Sequence, residues 1–478
     1  MTQQSRVTWS LVFGLWLAAP VEAGSWPQFR GRNSSGRAES ADRLPTQIGP
    51  DASVVWKTAL PPGHSSPAIV GNRIYLSAVR DQRLVTIALD RSSGKPIWEA
   101  EAPYEKLEEI HRIGSYAQAT PAADAERVVS FFGSSGLYCY DASGKLLWRL
   151  PMGPFNNDFG AASSPVIADD RVILCQDHDS ESFLVAIDKR TGKTIWKTDR
   201  SEFPRNFCTP VIWDVAGKKQ IVIAATLRVV GYDFETGKEL WTVRGLSRTV
   251  CMTPVVADDG TLIAAGWSAG GDASDRIRLE PFDDVAAVQD KDKDGLLAEM
   301  ELGEGAIKQR FSQVDRDNTG TITRAEYEYF RGLFDKGRNV VLAIRPGGRG
   351  DVTDSHVLWQ HDRFVPFCAS PLWYEGKVFT VKDGGIYTCL DAKTGKPYKQ
   401  GRLDATGEYY SSPVAGDGKV YWLSEEGKLT VTRADETCEV LATANFGEDV
   451  YATPALVDGR IYLRTAGHLY CFGASSGE

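Results

Sequence analysis

The chain lacks a basic surplus: 54 Lys and Arg stand against 63 Asp and Glu, a net charge of −9 over 478 residues. That balance excludes the basic stripe of a nucleic-acid footprint. Histidine is scarce at six, and none of the six falls in a His-x3-His or His-Glu-x2-His arrangement, which argues against a zinc hydrolase. Cysteine numbers eight, with no two adjacent and the first at Cys139. No stretch reaches the roughly 18 uninterrupted apolar residues that would span a bilayer. Glycine (46), proline (23) and tryptophan (13) are plentiful instead. They imply many turns, and many large aromatics to bury between short strands.

The opening residues read as a leader. Arg6 supplies a basic start, residues 9–19 form an apolar run with a single serine, and Pro20 breaks it. Val21-Glu22-Ala23 then puts small residues at both recognition positions before Gly24, the three-part plan of a secretory signal peptide. Residues 1–23 are therefore expected to be removed, with the mature chain beginning at Gly24. The product is expected to be exported, to the periplasm or cell envelope or beyond. It has no transmembrane segment, and no cysteine at the cleavage site to carry a lipid.

The remainder repeats itself. Ser/Thr-Pro precedes a short strand at Ser66-Pro67, Thr120-Pro121, Ser164-Pro165, Thr209-Pro210, Thr253-Pro254, Ser370-Pro371, Ser412-Pro413 and Thr453-Pro454. The intervals run from 41 to 54 residues, with one exception of 117 between Pro254 and Pro371. Periods of about 40–45 residues holding four short strands mark a β-propeller blade. Within the units Ala88, Asp90, Gly94 and Trp98 set a spacing that Ala186, Asp188, Gly192 and Trp196 repeat. Gly231, Asp233, Gly237 and Trp241 follow it too, and Cys139, Asp141, Gly144 and Trp148 form a copy one residue shorter. Asp and Gly build the hairpin turn. The Trp packs between blades, and the small residue lets a strand approach. Cys389, Asp391 and Gly395 form a weaker copy, with Lys399 where Trp would stand.

That spacing is similar to the tryptophan-docking motif of pyrroloquinoline-quinone (PQQ)-type propellers. Gly24-Ser25-Trp26-Pro27-Gln28-Phe29-Arg30-Gly31 resembles the opening of a family of exported bacterial PQQ-like propeller proteins. The resemblance implies an all-β fold: an eight-bladed propeller of four-stranded blades over residues 24–478. The last unit ends at Leu469-Tyr470-Cys471-Phe472 without a Trp strand, while Val54-Val55-Trp56 is a Trp strand without a unit. The N-terminal strand is expected to complete the final blade and so remove the open edges.

The surplus in the long interval reads as a small α-helical EF-hand pair inserted in blade five, over residues 280–336. Asp290, Asp292 and Asp294, the Leu296 carbonyl and Glu301 fill one 12-residue calcium loop. Asp315, Asp317, Thr319, the Thr321 carbonyl and Glu326 fill a second. Ca²⁺ takes about six to eight oxygens, Gly295 and Gly320 allow the sharp turn, and a bidentate Glu closes the shell. Residues 282–288, 307–314 and 325–334 read as flanking helices. The insert holds 14 acids against 8 bases, so two Ca²⁺ ions would relieve its repulsion.

Other features read as structure. Cys139, Cys389 and Cys471 share one repeat position with Ala88, Ala186 and Gly231 and are expected to be small buried residues. Cys208, Cys251 and Cys368 precede Ser/Thr-Pro strands and are candidates to line the central channel. Residues 105–110 read as a short helix beside His111-Arg112, a candidate ligand or partner loop. In quinoprotein dehydrogenases of this fold the cofactor lies in the channel under adjacent bridged cysteines, beside a Ca²⁺ held by Glu, Asn and Asp. No motif here supplies that set, so PQQ is a cofactor the resemblance admits but the residues do not support. The leading expectation is a non-catalytic exported scaffold, similar in architecture to the propeller component of the bacterial outer-membrane barrel-assembly machinery. Its partner would be a protein or cell-envelope polymer on one propeller face. A PQQ-dependent oxidoreductase acting on an alcohol or sugar is the alternative, and cell-surface carbohydrate binding a third.

Overall fold

The computed structural model describes residues 24–157, 159–179, 181–272 and 274–474. The expected leader, residues 1–23, lies outside the described residues. Eight antiparallel sheets follow one another along the chain. Blade one is Ala68–Val70, Arg73–Arg80, Arg83–Asp90 and Pro96–Ala102. Its two middle strands are buried on both faces because neighbouring blades cover them, whereas Pro96–Ala102 alternates toward solvent. The later blades repeat this plan, so each unit buries its apolar faces only against its neighbours.

Blade eight closes the ring as the sequence implied. Val54–Ala59 pairs antiparallel with His468–Gly473, placing Trp56 opposite Cys471. The Trp56 ring then lies over the turn of blade one, and its indole N–H donates to the Arg91 carbonyl at 3.1 Å. Gly94 has φ +70°, and a Cβ there would sit 2.4 Å from that ring. Trp98, Trp148 and Trp359 dock in the same way on the next blade's turn, bonding the carbonyls of Ala142, Lys189 and Ala392.

Three blades depart from the pattern, blade seven by placing Ala442 opposite Val431 where an indole stands elsewhere. Trp241 bonds Gln220 within its own blade at 2.6 Å and is covered by the short strand Gly350–Asp351, which adds in parallel beside it. Blade six carries Lys399 opposite Cys389. There Cys438 of the blade-seven turn, at φ +46°, joins Cys389 in the apolar cluster. Two sulfurs thus fill the space an indole takes elsewhere. Cys139, Cys389 and Cys471 are all fully buried, as the repeat position implied.

The Ser/Thr-Pro signature has a structural cause. The Ser66 N–H donates to the Thr120 hydroxyl, Thr120 to Ser164, Ser164 to Thr209 and Thr209 to Thr253. Thr253 donates to Ser370, Ser370 to Ser412, Ser412 to Thr453, and Thr453 back to Ser66. All eight bonds measure 2.9–3.1 Å and close a circle around the channel. Each hydroxyl satisfies a buried backbone donor of the preceding blade, and the following proline has no donor to satisfy.

The segment that opens the described chain crosses one end of this channel. Trp26 exchanges two 2.7 Å bonds with Ile69 of blade one, and the Pro27 carbonyl accepts from Ala123 of blade two. The Asn33 amide pairs with both backbone groups of Ile212 in blade four. Arg30, fully buried, donates to the Pro371 carbonyl of blade six at 2.9 Å. The motif Gly24–Gly31 is therefore a strap that ties opposite blades together.

The surplus chain leaves blade five between Leu262–Gly266 and Val340–Ile344. It contains α1 (Phe282–Gln289), α2 (Phe311–Val314) and α3 (Arg324–Lys336). Two expectations need correction. The expected helix over 307–314 is a 3₁₀ turn, Lys308–Arg310, followed by the single α-turn of α2. The expected helix over 105–110 is absent, and those residues form irregular backbone. Six residues are too few for an autonomous helix. Here the Glu108 carboxylate instead accepts the Ser134 N–H at 3.1 Å, and its carbonyl accepts the Tyr116 hydroxyl at 2.7 Å.

Candidate functional site

The insertion has its own small core of Phe282, Leu297, Val314, Ile322, Tyr327 and Phe330, against which Leu227 of blade four packs. It does not project from blade five but folds back over blades three and four. The Arg316 guanidinium donates to the carbonyls of Asp179 and Ser201, the latter at 2.9 Å. The Tyr329 hydroxyl donates to the Glu202 carbonyl at 3.1 Å.

Within it the two acidic loops lie side by side, joined by the pairs Leu297↔Ile322 and Ala298↔Thr321. Oxygens of Asp290, Asp292 and Glu301 lie within 4.8 Å of one another, and so do those of Asp315, Asp317 and Glu326. Gly295 and Gly320, each at φ +84°, turn the loops. Main-chain N–H groups orient the closing carboxylates: Lys291 and Ala298 donate to Glu301 at 2.9 and 2.8 Å, and Arg316 and Thr323 to Glu326 at 2.9 Å. Asp294 stands outside the first triad, its carboxylate taking the Leu296 N–H at 2.8 Å. Thr319 points its hydroxyl at the Thr321 carbonyl, 3.1 Å away.

Charge crowding is visible in the first loop. The bond from the Asp294 N–H pulls the Asp292 carboxyl pKa down. Desolvation and the charges of Asp294, Glu301 and Asp290 outweigh it, and the net direction is up. Asp290 Oδ1 is buried with no hydrogen-bond partner in the protein. A polar atom so placed normally has one, and a hard cation among these oxygens would supply it.

The second candidate is the channel, a cavity of about 530 Å³. Its floor is the hydroxyl circle, with Phe29 of the strap among the lining residues. Its wall carries Phe159, Phe207, Trp267 and Phe367, and its rim is completed by Gln309, Arg310 and Gln313 of the insertion. The His111-Arg112 loop also reaches this rim, with Ile113 and Gly114 in the lining and His111 against Phe159 at 5.6 Å. His64 stacks on Tyr451 at 3.9 Å. Burial, helped by the nearby Arg464 charge, lowers the His64 pKa to about 4, so the ring is neutral near pH 7.

Of the three cysteines expected at the channel, Cys251 and Cys368 line it, and Cys208 turns instead into the core of blades three to five. The neighbouring Cys251 thiol, together with burial, drives the Cys368 pKa well up. Among the described residues lining the cavity there is no carboxylate, and its two cysteines belong to different blades. The cavity therefore does not present the Glu–Asn–Asp calcium set, nor the adjacent-cysteine bridge, that a quinoprotein cofactor site would imply. Arg205 and Arg248, also at the rim, were missed in the sequence. They sit in connections between strands, where the repeat imposes no spacing.

Eight blades, most of them joined by indole docks, and a hydroxyl circle define the class: a PQQ-like β-propeller. The chain belongs to the family described as outer membrane protein assembly factor BamB, whose model matches residues 86–270 and 331–478 and passes over most of the insertion. A BamB of Burkholderia pseudomallei (strain K96243) is 24% identical, the match covering 32% of this chain and 49% of that protein. The chain thus spans about half the length of that curated relative. The crystal structure of BamB from Moraxella catarrhalis superposes with a TM-score of 0.55 at 14% identity, over 88% of this chain and 99% of that one. A quinohemoprotein alcohol dehydrogenase from Comamonas testosteroni gives 0.58 at 14% identity, over 96% and 82%. At such identities the likeness concerns the fold. No helix among the described residues is long and apolar enough to cross a membrane.

Proposed function

We propose that this protein is an exported, non-catalytic propeller scaffold of the cell envelope, acting in outer-membrane protein assembly, and that its insertion is a calcium-binding EF-hand pair. Membership of the assembly-factor family carries the first half of this reading. The partner would be a protein or envelope polymer on the face that bears the insertion. Cells lacking this chain are expected to hold less folded β-barrel protein in the outer membrane, read as the heat-modifiable fraction on gels. Unchanged barrel levels would overturn the scaffold role.

Two facing loops with converging carboxylates, one with an unpaired Asp290 oxygen, support calcium. Asp290, Asp292, Asp294, Glu301 and the Leu296 carbonyl would hold one ion. Asp315, Asp317, Thr319, Glu326 and the Thr321 carbonyl would hold the other. Four carboxylates against three make the first site the tighter, and affinities on the order of 10⁻⁵–10⁻³ M suit an exported module. The ions would stiffen the loops, and through Arg316 the second loop would hold the insertion against blade three.

Calorimetric titration should show two calcium sites. Glu301→Gln should weaken the tighter one, because the amide cannot offer two charged oxygens. Chelation should raise hydrogen exchange over residues 280–336 while the blades stay protected. Absence of binding at millimolar calcium, or melting of the whole ring on chelation, would refute the calcium module.

A further inference from the structure

We infer that the channel rim beneath the insertion is an anion-binding site, in which Arg248 and Arg310 receive a carboxylate or phosphate group of a small ligand whose apolar body lies against Phe207 and Trp267. The inference requires neither the calcium reading nor the assembly role.

Arg248 is the central observation. Its side chain makes no hydrogen bond or ion pair with the described residues, and its Nε is buried. One face of the guanidinium lies on the Phe334 ring of α3 at 4.6 Å. Arg310 faces the same ring from 5.9 Å and bonds only the Ala306 carbonyl, at 3.2 Å. Arg205 is ion-paired with Asp179. Arg248 and Arg310 therefore meet at one rim beside the ion-paired Arg205, and among the described residues lining the cavity none is a carboxylate.

Burial, together with the repulsion of Arg310 and Arg205, lowers the Arg248 pKa to about 10, so the group stays charged at neutral pH. A desolvated cation is normally paired, and contact with an aromatic face compensates only part of the cost. The planar guanidinium keeps a donor fork that matches a carboxylate or phosphate in bidentate geometry. The cavity of about 530 Å³ falls in the small-molecule range of roughly 300–1,000 Å³. The rim is assembled from two sources: Arg248 follows the outer strand of blade four, and Arg310 arrives with the insertion. The site therefore exists only while the insertion is docked.

The test is calorimetry on the full mature chain in calcium-containing buffer, with benzoate, phenyl phosphate and neutral benzamide as probes. Wild type should bind at least one of the two anions with Kd about 1 mM or tighter, and the preferred one assigns the group as carboxylate or phosphate. Benzamide should not bind. Arg248→Met should weaken anion binding by about tenfold or more, and Arg248→Lys, which keeps the charge but not the fork, should recover part of it. Arg248→Met should also melt close to wild type, since it removes an unpaired cation and leaves an apolar side chain to cover the Phe334 ring; should it fail to fold, Arg248→Lys and Arg310→Met carry the comparison. Failure of both anions at about 10 mM, equal binding of benzamide, or unchanged anion binding by the Arg248 variants would overturn the inference.

Discussion

Deleting residues 24–59 is expected to abolish the folded monomer. The segment holds the fourth strand of blade eight, the Trp56 dock and the strap beneath the channel. Without it His468–Gly473 becomes an open, apolar edge, a template for pairing with another chain. Blade eight loses the bonds of Trp56 to Arg91 and of Thr58 to Gly94, which fasten it to blade one. The strap's ties to blades four and six go as well. Trp56→Ala alone should cost about 3–5 kcal/mol, the usual penalty for truncating a packed aromatic, and the deletion more than the whole of an ordinary domain's 5–15 kcal/mol. Size-exclusion chromatography and circular-dichroism melting decide it. A monomeric deletion variant with a near-normal melting temperature would refute the closure.

Asp177→Ala is expected to destabilise the blades as strongly as the loss of Trp56. Arg200 is completely buried, and Asp177 holds it with both carboxylate oxygens, at 2.8 and 2.6 Å. The guanidinium also meets the Tyr232 hydroxyl and covers the Phe203 ring at 4.2 Å. Asn206 donates to the same carboxylate at 3.2 Å. Removing Asp177 strands a cation in the core of blades three and four, a change worth about 3–5 kcal/mol. Replacing both partners, Asp177→Leu with Arg200→Met, should recover much of the loss, because a buried pair contributes little net stability over an apolar one. Urea unfolding of the two variants separates the outcomes: a single variant within about 1 kcal/mol of wild type would show that water reaches Arg200.

The periodic part of the protein was legible because each blade solves the same packing problem. Gly94 must be glycine where Trp56 lies against it, and Ser66 must carry a hydroxyl because Thr453 needs an acceptor. Such demands recur every 40-odd residues and leave a pattern. The acidic loops were legible for a similar reason, since their carboxylates are neighbours along the chain.

The chain's own pattern thus determined the blade count, the Trp56 closure and the two loops with their converging carboxylates. Tertiary structure alone decided where the insertion lies, that the opening motif is a strap, and that Arg205, Arg248 and Arg310 share one rim. The reason is range. Turns, docks and loop carboxylates depend on residues close in sequence or one repeat away. The rim joins residues 43 and 62 positions apart from Arg248, brought together by an insertion whose docking no repeat encodes.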